Sequence, residues 1–174
     1  MTRSLALTCA LAFALAACSQ DVAMPTPEPT GCVEPTRRSG DTAFDDQNRA
    51  TWKAELDAGG PAACGAATEA YITRMEEHRG EMLKAKASGF AIYGRLTDAI
   101  TGEPVEHVCV TPGKPGAICW ARSDADGWYL LDLGLMAAQP GFFEIFFTKD
   151  GYPEQHTVSR MLSGRGRIDH QMTK

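Results

Sequence analysis

From Phe90 onward apolar and polar positions alternate. Phe90, Ile92 and Leu96 share one parity and Ala91, Tyr93 and Arg95 the other, the period of a strand with two unlike faces. Residues 98–104 (DAITGEP) then turn the chain. Val105–Thr111, Ala117–Ser123, Trp128–Leu133 and Phe142–Thr148 read as further strands, with weaker candidates at Thr157–Met161 and Gly166–Met172. Short strands separated by frequent turn signals predict a β-sandwich. Upstream the period changes. Phe44, Asn48, Trp52 and Leu56 recur every fourth position until Gly59-Gly60-Pro61 stops them. A second stripe follows, of Tyr71, Ile72, Met75, Met82 and Leu83, with Glu69, Arg74, Glu76, Glu77, Glu81 and Lys84 mostly off it. Two amphipathic helices joined by a tight break are expected over residues 44–88, ahead of a mainly β domain over 89–174.

The N-terminus has a third pattern. Arg3 is the only charge before an apolar run from Leu5 to Ala17 that stops at Cys18. A helix needs about 20 apolar residues to cross a bilayer, so this shorter run reads instead as a secretory signal over residues 1–17. Leu15-Ala16-Ala17-Cys18 resembles the bacterial lipobox, which implies acylation of Cys18 and a membrane anchor. Each buried methylene contributes about 0.8 kcal/mol, so several acyl chains hold a protein stably. Ser19 follows in place of an inner-membrane retention aspartate, so the resemblance implies the outer membrane. Residues 18–43, rich in proline, threonine and glutamate, are expected to be a stiff tether.

Composition narrows the partners. Loss of residues 1–17 removes Arg3 and no acid, moving the net charge from −5 to −6. An acidic chain without a basic cluster is a poor nucleic-acid binder, because such binding rests on neutralised phosphates. Arg37-Arg38 and the arginines at 165 and 167 read as solvated charges.

Cys9 leaves with the signal, and Cys18 is taken by the lipid. Four cysteines remain. A hairpin centred on Lys114 would set Cys109 opposite Cys119, Val108 opposite Trp120 and Val110 opposite Ile118, sulfurs on one face and apolar side chains on the other. Opposed strand residues have Cα atoms about 4.5–5.5 Å apart, within reach of a disulfide, and an exported chain meets oxidising conditions. Closing so short a loop contributes about 3 kcal/mol. The rivals are a zinc site with His107 as third ligand and a redox pair, though both favour closer C-x-x-C spacing. Cys32 and Cys64 would form the second disulfide.

Other chemistry is sparse. His78 beside Glu77 has no second histidine at helical spacing and reads as surface. Asp124-Ala125-Asp126-Gly127 suits a tight turn. Its alternative, a calcium loop, needs a glutamate where Leu135 stands. No cofactor or metal is expected.

The stretch from Ile92 to Val158 resembles the carboxypeptidase regulatory-like domain through Gly94, Asp98, Thr101-Gly102, Pro104, Val105, Val110, Asp124, Gly127, Tyr129, Leu131 and Gly151-Tyr152. That resemblance implies a Greek-key transthyretin-like β-sandwich and a mostly accessory, adhesive or carbohydrate-binding-like role. Ser123 stands where the family commonly has threonine, and the Cys109/Cys119 pair is added. Related hydrolases of the purine pathway end in Tyr-Arg-Gly-Ser, whereas this chain ends DHQMTK. Intradiol dioxygenases hold iron with two tyrosines and two histidines; Tyr129, Tyr152, His156 and His170 supply the types without the motif. No G-x-S-x-G elbow occurs. The expectation is therefore a lipid-anchored, non-enzymatic envelope module that presents its sandwich to a protein or glycan. Trp128 is a candidate contact if it faces solvent, against the plainer reading that it packs under the helices. The alternative is an assembly accessory that docks a larger envelope complex through its helical segment.

Overall fold

A computed structural model describes residues 31–113, 118–134, 141–161 and 164–174. The signal, Cys18 and the first part of the tether lie outside the described residues, as does the expected hairpin centre, Lys114. Among the described residues two helices come first: α1 (Thr42–Gly59) and α2 (Cys64–Lys86), joined by a 3₁₀ turn at Gly60–Ala63. Asp41 caps α1, its carboxylate accepting from the N–H groups of Ala43 and Phe44 at 3.1 and 3.2 Å. Gly60, at φ 61°, lets the chain leave it. Between the helices Trp52 and Tyr71 are buried. Asn48, also buried, donates to the Tyr71 carbonyl at 3.0 Å and accepts from Arg74 at 2.7 Å.

Eight strands follow: β1 (Phe90–Asp98), β2 (Cys109–Pro112), β3 (Ala121–Arg122), β4 (Trp128–Gly134), β5 (Gly141–Thr148), β6 (Gln155–Met161), β7 (Arg165–Arg167) and β8 (His170–Met172). One sheet runs β4-β1-β7, with β8 also on β1; the other runs β3-β2-β5-β6. The chain thus passes from sheet to sheet as a transthyretin-like sandwich requires. β7 and β8 keep one parallel offset against β1, Ala91 beside Arg165 and Leu96 beside His170. They are two pieces of one interrupted strand. At the interruption a Cβ on Gly94 would stand 1.8 Å from the Ile168 carbonyl oxygen, so only glycine fits.

Alternation fills the core between the sheets. Ile92, Leu96, Tyr129, Leu131, Ile145, Phe147, Val108 and Val110 all point inward and are buried. The turn residues shared with the regulatory-like domain have definite work. Asp98 accepts from the N–H groups of Ile100 and Thr101 at 2.9 and 3.0 Å and from the Tyr152 hydroxyl at 2.8 Å. These donors, the Thr101 amide foremost, hold its carboxyl well below the usual carboxylate range. Asp124 accepts from the Asp126 and Trp128 amides with one oxygen, and from Arg79 at 2.6 Å with the other. Both oxygens of the candidate calcium aspartate are thus engaged.

Two expectations need correction. β2 pairs β3 with Cys109 beside Arg122 and Val110 beside Ala121, three residues from the Lys114-centred register. The cause is Ser123, whose buried hydroxyl donates to the Val105 carbonyl at 2.7 Å and accepts from the Val108 amide at 2.9 Å. An odd shift reverses faces. Ile118 and Trp120 therefore leave the core side and are 84% and 48% exposed. Of the tether expected over 18–43, residues 32–41 are bound along the hairpin. Arg37 pairs with Glu76, the Arg38 guanidinium donates to the Tyr71 hydroxyl, the Ser39 amide donates to Asp45 and its carbonyl accepts from Arg79.

Candidate functional site

The outer faces of the two sheets have opposite fates. On β1 and β4 the outward positions are Ala91, Tyr93, Arg95, Trp128, Leu130 and Asp132, set side by side by the register. α2 covers them. Leu83 packs with Tyr93 and Trp128, and Glu76 pairs with Arg95, which is 8% exposed. Trp128 is 2% exposed, with the Arg167 guanidinium 5.0 Å above its ring. The candidate contact residue is therefore part of the helix–sandwich seam, not a solvent-facing anchor. Gly80 of α2 also lies at this seam, where a Cβ would make ordinary contacts with Tyr93 and Arg167, at 3.6 Å each.

The other sheet is exposed unevenly: its outward Thr111 and Phe146 are buried, whereas Phe142 and Val158 are not. Its outward row nearest β3 is Arg122, Cys109 and Thr148. The next is Thr111, Phe146 and His156, then Glu144 and Val158, then Phe142. Phe142 and Val158 are 74% and 59% exposed. His156 packs on Phe146 with ring centroids 5.4 Å apart. The result is an apolar strip whose outer members, Phe142 and Val158, reach solvent, a feature that marks interaction surfaces. Sequence reasoning missed it because the alternation in Phe142–Thr148 was read for the core alone. Phe142 and Phe146 at the opposite parity to Phe143, Ile145 and Phe147 were the available signal.

An open groove of about 590 Å³ lies at one end of this sheet, lined by His107, Cys109, Arg122, Thr148, Lys149, Asp150, Tyr152 and Glu154. His107 has φ 61°, the left-handed region in a non-glycine residue.

The cysteines answer the sequence's question directly. Cys109–Cys119 and Cys32–Cys64 are disulfides with Cα–Cα distances of 5.4 and 5.6 Å. Their sulfurs are unavailable to zinc. Among the described residues no group of three His, Cys, Asp or Glu side chains could hold a metal. The dioxygenase-type residues are dispersed. Tyr129 donates to the Ile168 carbonyl at 2.8 Å, its hydroxyl raised in pKa mainly by burial. The Tyr152 hydroxyl serves Asp98. His156 packs on outward Phe146 and His170 on inward Phe147, so the two histidines lie on opposite sides of one strand. His78 stacks on Phe44 at 3.8 Å and meets Asp41 at 3.1 Å, a half-buried cap partner for α1.

No protein-family model matches the chain, and no curated protein does. Among solved structures it is similar to a 5-hydroxyisourate hydrolase of Klebsiella pneumoniae, at 11% identity and TM-score 0.37 over 48% of this chain and 84% of that one. A 3-chlorocatechol 1,2-dioxygenase of Rhodococcus opacus shows 13% identity and TM-score 0.36 over 51% and 61%. A DUF3823 family protein of Parabacteroides merdae shows 18% identity and TM-score 0.30 over 51% and 47%. No residue role comes to this chain from likenesses so remote. The class is set by its own sheets: a transthyretin-like β-sandwich whose one outer face is roofed by a disulfide-tied helical hairpin.

Proposed function

We propose that the chain is a lipid-anchored, non-enzymatic module of the bacterial outer membrane that presents the open β3-β2-β5-β6 sheet to a protein or glycan of the envelope. The observation that carries this reading is the asymmetry between the two outer faces. The helical hairpin hides Trp128 and Tyr93 on one sheet, while Phe142 and Val158 stay exposed on the other. Aromatic side chains give large contact area at low entropic cost and anchor both protein and sugar partners. Acylation of Cys18 supplies the anchor. The absence of catalysis is supported by the dispersal of Tyr129, Tyr152, His156 and His170 into structural bonds. Docking through the helical segment is the weaker alternative, since the face of α2 that carries Glu76, Arg79 and Leu83 is already used on the sandwich.

The test is crosslinking in intact cells, followed by pull-down and separate assays for protein and glycan. Partner capture that persists when residues 44–87 are replaced by an unrelated helical hairpin of equal length, and is lost in Phe142→Ser/Val158→Ser, supports the open sheet. The reverse pattern would transfer the role to the helices. Membrane extraction of Cys18→Ser, expected in the soluble fraction, tests the anchor separately.

A further inference from the structure

The groove at the end of the open sheet has a charge layout that defines a ligand. Cys109 pairs laterally with Arg122 on one side and Thr148 on the other. Gln155 lies beside Phe147, so Glu154, one step on, continues the row past Thr148. Arg122 and Glu154 thus stand three strand spacings apart, about 14 Å. The two positions between them carry a threonine and a disulfide sulfur, so the floor is low and the walls are charged. One wall, from the β2 entrance and β3, carries His107 and Arg122. The Lys149 ammonium reaches over to the Glu106 carbonyl and joins that side. The other wall, the β5–β6 turn, carries Asp150 and Glu154. Among the described residues Arg122, Asp150 and Glu154 make no side-chain hydrogen bond or ion pair, so each retains its capacity for a ligand. His107 is partly engaged, 3.4 Å from Glu106, as is Lys149 through the Glu106 carbonyl. Its left-handed backbone, fixed by donation from its N–H to the Ser123 carbonyl at 2.9 Å, sets the ring at the groove. Strain of this kind collects at ligand-handling positions.

We infer that this groove binds short peptides of two or three residues with both termini free. The carboxylate lies against Arg122 and His107, and the ammonium against Asp150 and Glu154. An extended chain spans about 3.4 Å per residue. Two or three residues with a hydrogen bond of about 2.8 Å at each end therefore fill the distance between the walls. A neutral sugar would leave both sets of charges unmatched. The inference rests on the open sheet being the partner-facing side and goes beyond it by naming a ligand class.

The probe is tri-alanine, titrated into the full chain and followed by calorimetry or by NMR shifts of the 107–109 and 148–154 amides. Free tri-alanine is expected to bind. Acetylation of its N-terminus or amidation of its C-terminus should weaken binding about tenfold each, the size of one charge-assisted hydrogen bond. Arg122→Gln should abolish the effect of amidation and leave that of acetylation. Glu154→Gln with Asp150→Asn should do the converse. Both sets of substitutions are on exposed positions, and circular dichroism would report any loss of fold. Equal binding of free and doubly capped tri-alanine, no binding of either, or binding of chitotriose instead would overturn the inference. If tri-alanine fails while crosslinks from Phe142 persist in cells, the peptide assignment falls and the open-sheet reading stands. If both fail, both fall.

Discussion

The two sheets of this sandwich are built by the same alternation and end with opposite surfaces. On β1 and β4 both parities are apolar enough to bury, and α2 takes the second face. On β5 and β6 the second parity holds Phe142, Glu144, Phe146, His156 and Val158, of which Phe146 is buried and the other four are exposed. The difference lies in the charges that accompany the apolar groups. Arg95 meets Glu76, and Asp124 meets Arg79, so the covered face has ion pairs that orient the helix. Glu144 instead meets His156 of its own sheet, at 3.7 Å. A covered face is a stability element and an open one a contact element, and substitution should separate them.

The largest effect is expected at the seam. Trp128→Ala empties a fully enclosed site and should cost about 3–5 kcal/mol in urea unfolding, whereas Phe142→Ser should stay within about 0.5 kcal/mol of wild type. Comparable losses at the two positions would erase the distinction between the faces. Next is Gly94→Ala, where a methyl group meets the Ile168 carbonyl. Detachment of β8 should lower stability by about 3 kcal/mol or more, with loss of amide protection at Ile168 and Met172. Reduction of Cys32–Cys64, which closes a separation of 32 residues, should cost about 4 kcal/mol, and of Cys109–Cys119, which closes 10, about 3 kcal/mol. Replacement of each pair by serine, with calorimetric melting, orders them. Glu76→Gln comes next, leaving the Arg95 guanidinium unpaired at the seam. The pair is partly screened, so about 1–3 kcal/mol is expected.

The smallest effect is a pH dependence. The folded-state pKa of Asp98 is depressed, so the unfolded chain binds its proton first. Its contribution is complete above the unfolded pKa of about 3.9 and is lost as pH falls below it. Unfolding followed from pH 5 to pH 2 should steepen in wild type and flatten in Asp98→Asn. An unchanged slope would show that the 98–104 turn does not depend on the carboxylate.

Much of this was legible in the chain. The helical break at Gly59-Gly60-Pro61 and the inward parity of Tyr129, Leu131 and Leu133 follow from spacing; both expected disulfides form, Cys109–Cys119 even though Cys109 lies beside Arg122 and not opposite Cys119. What spacing could not supply was the partner of each second face. The 92/94 parity of β1 looks the same whether Tyr93 meets water or α2, and only packing decides. The β2–β3 register was misread because symmetry about Lys114 took no account of Ser123, a small polar residue whose two buried hydrogen bonds outweigh the burial of Ile118 and Trp120. The charged groove was invisible because its two walls, Arg122 and Glu154, are brought together only by the order β3-β2-β5-β6.

The central claim, that the open sheet is the side that meets a partner, is tested most directly by a photocrosslinking residue placed in turn at Phe142, Val158, Lys53 and Thr73 in intact cells. The account predicts adducts from the two strand positions and none from the two exposed helical ones. Adducts from Lys53 or Thr73 alone would contradict it.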